Sequence, residues 1–243
     1  MRRRTRGIAA GVLVCLALAA AAAEKKGAYT VATERFGYAS GRDMLTAVFE
    51  PPAEPRSKPR PLILALHYGG QVTPGTGKEF AELLVLPALK GLGAVILAPD
   101  CPGHGWTDPV SEEAVLALLA SAGKTRNVDE RRVVIVGFSM GGAGVYRLAA
   151  RHPELFSAAI AVAGPAAAED LEAGGRVPMF IIHGENDEVV PVGEARAAFR
   201  ALRKGPAPVR LDIVPGLTHY QTAAYVPALY KAEGWLKGIW RSR

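Results

Sequence analysis

The sequence predicts an α/β fold, with a mostly parallel sheet of about eight strands and helices on both of its faces. Three observations carry that expectation. Apolar runs of strand length alternate with helix-like segments along most of the chain, the pattern of a sheet built from crossover connections. Several of those runs are apolar throughout instead of alternating, as strands buried on both faces require. Finally, Val133-Val134-Ile135-Val136-Gly137-Phe138-Ser139-Met140-Gly141-Gly142 passes from a β-branched run through a short turn into a small-residue helix. That stretch reads as strand, sharp turn and helix, with one serine at the tip.

The elements follow in order. Tyr29 to Phe36 and Met44 to Glu50 flank the turn-rich Tyr38-Ala39-Ser40-Gly41-Arg42-Asp43 and read as an antiparallel pair at the sheet edge. Residues 51–61 are proline-rich and polar, which suits a surface connection and neither periodic structure. Leu62 to Leu66 is the third strand, Glu79 to Leu89 a helix and Ala94 to Ala98 the fourth strand. A helix over Ser111 to Ala122 leads to the fifth strand, Val133 to Val136, and Ala143 to Arg151 is the helix after the serine turn. Ala158 to Val162, Met179 to Ile182 and Val209 to Ile213 complete the strands, with helices over Gly193 to Leu202 and Ala223 to Trp240. Only a short stretch separates Gly164 from Pro178, so no large cap domain is expected there.

The chain has 243 residues, 49% of them hydrophobic, which is enough for one sizeable core. Arg2, Arg3, Arg4 and Arg6 precede an apolar run from Ile8 to Ala20, and Ala21-Ala22-Ala23 precedes Glu24. These are the three parts of a secretory signal peptide. The reading is therefore a signal peptide over 1–23 and one domain over 24–243, secreted or periplasmic. The apolar run is shorter than the roughly 20 residues a spanning helix needs, so no stable membrane insertion is expected after cleavage. Cleavage removes four arginines and no acid, and the net charge falls from +6 to +2. No basic cluster interleaved with aromatics remains to bind nucleic acid. Cleavage also removes Cys15 and leaves Cys101 alone, which excludes an internal disulfide.

In an open sheet of this kind ligands bind beyond the carboxyl ends of the strands, so the candidate chemistry is sought there. Ser139 ends the fifth strand; a hydroxyl on so tight a turn is pushed into the open. His67-Tyr68-Gly69-Gly70 follows the third strand, and its glycines allow backbone N–H groups to face a cleft. The Met140 N–H would be one oxyanion donor, and Gly69 or Tyr68 the other. Trp106, in the loop Pro99-Asp100-Cys101-Pro102-Gly103-His104-Gly105-Trp106, is a candidate pocket-lining residue. His183-Gly184-Glu185-Asn186-Asp187-Glu188 offers three acids; Asp187 is preferred because it lies within the turn before Pro191, with Glu185 second. His219 sits on the loop after the last strand. A serine hydroxyl is a poor nucleophile until a base takes its proton, and the base must be held in one tautomer by a carboxylate. Ser139, Asp187 and His219 supply those roles in that chain order.

At these residues the chain resembles the α/β-hydrolase superfamily. Gly137-Phe138-Ser139-Met140-Gly141-Gly142 is similar to its nucleophile elbow, His67-Tyr68-Gly69-Gly70 to its oxyanion loop, Asp187 to its acid and His219 to its terminal base. Asn127-Val128-Asp129 and Arg151-His152-Pro153-Glu154-Leu155-Phe156 resemble the esterase, phospholipase/carboxylesterase and polyhydroxybutyrate-depolymerase-like branch. Tyr68 departs from the glycine that many relatives carry after the loop histidine. The resemblance implies the α/β-hydrolase fold and a serine hydrolase that cleaves carboxylic esters through an acyl-enzyme. The expected substrate is a small-molecule ester or the ester end of a polymer. A peptidase of the prolyl-oligopeptidase type and a non-catalytic binding protein of the same fold are the alternatives. The five histidines show no metal-ligand spacing, and neither metal nor cofactor is expected. No feature specifies an oligomeric state.

Overall fold

A computed structural model describes residues 28–39, 41–52 and 58–241. The leader assigned to residues 1–23 lies outside the described residues, as do Ser40 and positions 53–57 of the proline-rich connection.

Eight strands form one sheet: β1 (Thr30–Ala39), β2 (Arg42–Glu50), β3 (Arg60–Leu66), β4 (Val95–Pro99), β5 (Val128–Phe138), β6 (Ala158–Val162), β7 (Met179–Gly184) and β8 (Val209–Val214). Their spatial order is β1-β2-β4-β3-β5-β6-β7-β8. The edge strand β1 pairs antiparallel with β2, and β2 antiparallel with β4. Every later pairing is parallel. This is the architecture the alternating pattern predicts, with the antiparallel pair at one edge.

The uninterrupted apolar runs have a plain cause. Successive strand side chains point to opposite faces, and in β5 Val134, Val136 and Phe138 join one core cluster while Val133 and Ile135 join the other. The first core is closed by Phe80, Leu84 and the helix α7 (Val226–Arg241); the second is closed by α3 (Pro109–Thr125) and α4 (Met140–Arg151). The short α5 (Ala168–Ala173) and α6 (Val192–Leu202) complete the helices after β6. Six-residue α5 is the only regular element between β6 and β7 among the described residues, so no cap domain covers the sheet there.

The helix expected over Glu79 to Leu89 is broken. It consists of α1 (Thr76–Phe80), a π turn (Ala81–Val85), α2 (Leu86–Leu89) and a 3₁₀ turn (Lys90–Leu92). Pro87 explains the break, because it has no N–H for the preceding turn and its ring crowds the carbonyl four residues back. The widened turn leaves Leu83 on the surface, 41% exposed.

Candidate active site

Ser139 lies between the last residue of β5 and the first of α4, with φ 56° and ψ −116°. A non-glycine residue in that region is strained, and such strain persists only where its surroundings enforce it. The flanking glycines make the turn possible by close packing. A Cβ on Gly141 would overlap the Leu66 carbonyl, and one on Gly137 would overlap the Gly141 carbonyl. The Ser139 N–H donates to Val162 O at 2.9 Å, which ties the turn to β6.

From this turn a chain of hydrogen bonds runs across the sheet edge. Ser139 Oγ is 2.9 Å from His219 Nε2. On the other side of the ring, His219 Nδ1 is 2.8 Å from Asp187 Oδ2 and 3.0 Å from Oδ1. A carboxylate only accepts, so Nδ1 carries the proton and Nε2 offers its lone pair to the serine hydroxyl. Asp187 and His219 are buried, 8% and 5% exposed, whereas Ser139 is half-buried at the cleft floor. In this arrangement an imidazole can take the hydroxyl proton while a carboxylate stabilises the resulting imidazolium.

The acid is itself held firmly. Its Oδ1 accepts the Val189 and Val190 N–H groups at 3.0 and 2.7 Å. His183 is fully buried and donates Nε2–H to Val190 O at 2.8 Å, with Asp187 Oδ2 3.3 Å away. Glu188, the third of the acids, accepts the backbone N–H of His219 at 3.0 Å. Glu185, the second acid considered, accepts Gly216 N–H at 3.3 Å. The three acids therefore divide the work: Asp187 meets the ring, Glu188 the histidine backbone and Glu185 the loop before it. Phe138 packs against His219 at 5.4 Å, with Tyr225 buried behind Phe138. Burial pushes the Tyr225 phenol well above its ordinary range, and its O–H donates to Thr218 O at 3.3 Å.

Beside Ser139 lies an open cleft of about 940 Å³ whose walls include Tyr68, Gly69, Leu83, Val189 and Tyr220. Gly69 faces Met140, the first residue of α4. Tyr68 is half-buried and presents its ring edge-on to Phe80 and Phe138 at 6.0 and 6.5 Å. Trp106 corrects the sequence reading. It is fully buried in the core under α4, and its indole N–H donates to His67 O at 2.9 Å. A large aromatic on a loop at the functional edge satisfies the description of a pocket wall and of a core anchor equally well; here the indole finds a buried partner, as interior Trp requires. The walls that the sequence did not reveal are Leu83, Val189 and Tyr220, from three separate segments. Only Tyr220, next to His219, carried a signal.

Fold and site together define a member of the α/β-hydrolase superfamily with esterase-like architecture. More particularly, the chain belongs to the dienelactone hydrolase family, whose model matches residues 105–235. Among similar proteins, dipeptidyl-peptidase 5 of Porphyromonas gingivalis is 28% identical over 81% of this chain and 36% of its own length. Feruloyl esterase C of Emericella nidulans is 30% identical over 56% of this chain and 52% of its own. The chain spans only 36% and 52% of these relatives. A thermostable esterase of known structure superposes with a TM-score of 0.70 at 23% identity, covering 86% of this chain and 62% of that one; at that identity the likeness speaks for the fold.

Proposed function

We propose that the protein is an exported serine hydrolase that cleaves carboxylic esters through an acyl-enzyme on Ser139, with residues 24–243 as its mature domain. The observation that carries this reading is the unbroken hydrogen-bond chain from Asp187 through His219 to Ser139 at the floor of an open, largely apolar cleft. In the proposed reaction Ser139 Oγ attacks the ester carbonyl carbon while His219 Nε2 takes its proton. The oxyanion forms against backbone N–H groups, Met140 among them. The intermediate collapses, the alcohol leaves with the proton from His219, and water then attacks the acyl-enzyme by the same route. The esterase relatives support the ester class, and the open cleft suits a short acyl group or a polymer end.

Labelling with a fluorophosphonate tests the nucleophile. The parent protein is expected to label and to hydrolyse nitrophenyl esters, and Ser139→Ala to do neither; labelling that survives the substitution would place the nucleophile elsewhere. The dipeptidyl-peptidase relative keeps a peptidase reading in view, and dipeptidyl nitroanilides cleaved faster than the esters would favour it. Export rests on the leader over residues 1–23 and is tested by sequencing the N-terminus of the protein collected outside the cytoplasm, with Glu24 expected first.

A further inference from the structure

We propose that His67 is a positioning residue that makes the Gly69 N–H the second oxyanion donor by clamping the Tyr68–Gly69 peptide. This role rests on the acyl-enzyme reading above. The His67 Nδ1 lies 2.6 Å from the Tyr68 carbonyl oxygen. On the opposite side of the ring, Nε2 lies 3.0 Å from the Cys101 backbone N–H. A carbonyl can only accept and an N–H can only donate, so the ring is the neutral tautomer with its proton on Nδ1. Both ring nitrogens are thereby committed. The ring is fully buried and meets Trp106 edge-on at 5.2 Å. Burial also pushes the His67 imidazole below its ordinary value, which preserves the tautomer the clamp needs.

The consequence follows from amide geometry. The peptide is trans, so its N–H points opposite to its C=O. With the Tyr68 carbonyl turned inward to the buried ring, the Gly69 N–H is turned outward, on the side where Gly69 and Gly70 line the cleft with Ser139. Gly69 also stands against Met140: a Cβ there would lie 3.5 Å from the Met140 Cβ. The Ser139 N–H is already used by Val162, so the donor from the elbow is the Met140 N–H at the start of α4, and the Gly69 N–H joins it from the facing loop. The neighbouring peptide is oriented by another group, since the His67 carbonyl accepts from the Trp106 indole.

Two substitutions separate the two ring nitrogens. Asn places a donor near the position of Nδ1 and keeps the bond to the Tyr68 carbonyl; Gln reaches the position of Nε2 and keeps only the bond from Cys101. His67→Gln is expected to lower kcat on a nitrophenyl ester by at least about tenfold, approaching the 10²-fold cost of a missing oxyanion donor. Its KM should stay nearly constant. His67→Asn is expected to retain most of the parental kcat. Affinity for an aryl boronic acid, which forms a tetrahedral adduct on serine, should fall in the same order, with thermal midpoints measured alongside. A packing role alone would make activity follow the thermal midpoint, and equal losses in the two variants, or a larger loss in His67→Asn, would overturn the clamp. Trp106→Phe frees the other peptide; if it lowers kcat more than His67→Gln in a folded protein, the donor is the Tyr68 N–H. A parent that hydrolyses no ester would instead overturn the acyl-enzyme reading itself.

Discussion

Asp187 illustrates how much of this site is decided by single hydrogen bonds. The carboxylate has two backbone N–H groups and the His219 ring around it, with His183 alongside, so its position is set before any substrate arrives. Asp187→Asn would keep the shape and lose the acceptor that fixes the His219 tautomer. A fall in kcat on the order of 10³–10⁴-fold is expected, measured by steady-state kinetics on a nitrophenyl ester. Glu188 acts one step further out, through the His219 backbone. Glu188→Ala should cost roughly tenfold in kcat, in line with loss of a charge-assisted hydrogen bond, and Glu188→Gln, which still accepts, should recover much of it. Glu185→Gln offers the contrast, because its contact at 3.3 Å is to a loop N–H and not to the histidine. His67 adds a stability consequence. Its pKa is lowered by burial from the ordinary 6.5, so the unfolded chain binds the proton more readily. Its contribution is therefore complete above about pH 6.5 and is lost as the pH falls toward the folded-state value. Urea titrations over that interval should show a steeper loss for the parent than for His67→Asn.

The strand-turn-helix element was the most legible part of the chain, and the reason is physical. A buried strand must be apolar on both faces, and a turn this tight needs glycine where backbones touch, so the sequence had few alternatives there. Gly141→Ala tests that tightness: its Cβ would enter the Leu66 carbonyl, and backbone cannot yield as a side chain can. A loss of about 3 kcal/mol or more, of the size seen for severe overpacking, is expected in a urea titration. Gly234 in α7 is the opposite case. It is exposed, and nothing lies within 4 Å of an added Cβ, so Gly234→Ala should stabilise the protein by about 0.5–1 kcal/mol. Less of the chain between β3 and β4 was readable. One uninterrupted helix over Glu79 to Leu89 was expected there, whereas Pro87 forces the change of helical register that frees Leu83. The roles of Trp106 and of the cleft walls were also hidden, for a common reason. Leu83, Val189 and Tyr220 come from separate segments, so no local period marks them, and an aromatic at the sheet edge gives no sign in sequence of which way its ring turns.

At the scale of the whole molecule, the charge that meets a substrate is not the charge of the chain. The formal net charge is +6, and +2 for the proposed mature domain over residues 24–243, which alone would favour anionic substrates. The cleft says otherwise. Six large apolar residues are exposed among those described, and Leu83, Val189 and Tyr220, three of the six, gather on the walls beside Ser139. Clustered exposure of that kind marks a surface that is covered when the protein works. His219 is the one ionisable side chain on these walls besides the Tyr68 and Tyr220 phenols, and the charges immediately behind it are those of Asp187 and Glu188. An acyl group ending in a carboxylate would meet apolar walls backed by acids, with no Lys or Arg among the described lining residues to offset its desolvation. We therefore expect nitrophenyl butyrate to exceed nitrophenyl hemisuccinate in kcat/KM by about tenfold or more, a modest repulsion over several ångströms. Val189→Lys places a cation on the rim at a site already 47% exposed, so the fold should tolerate it. That variant should narrow the ratio severalfold by improving the hemisuccinate, and more so at low salt, because an exposed charge is screened over a Debye length of about 10 Å at 0.1 M ionic strength. Equal rates on the two esters in the parent, or a ratio that ignores Val189→Lys at every ionic strength, would mean that the acyl group does not lie along these walls.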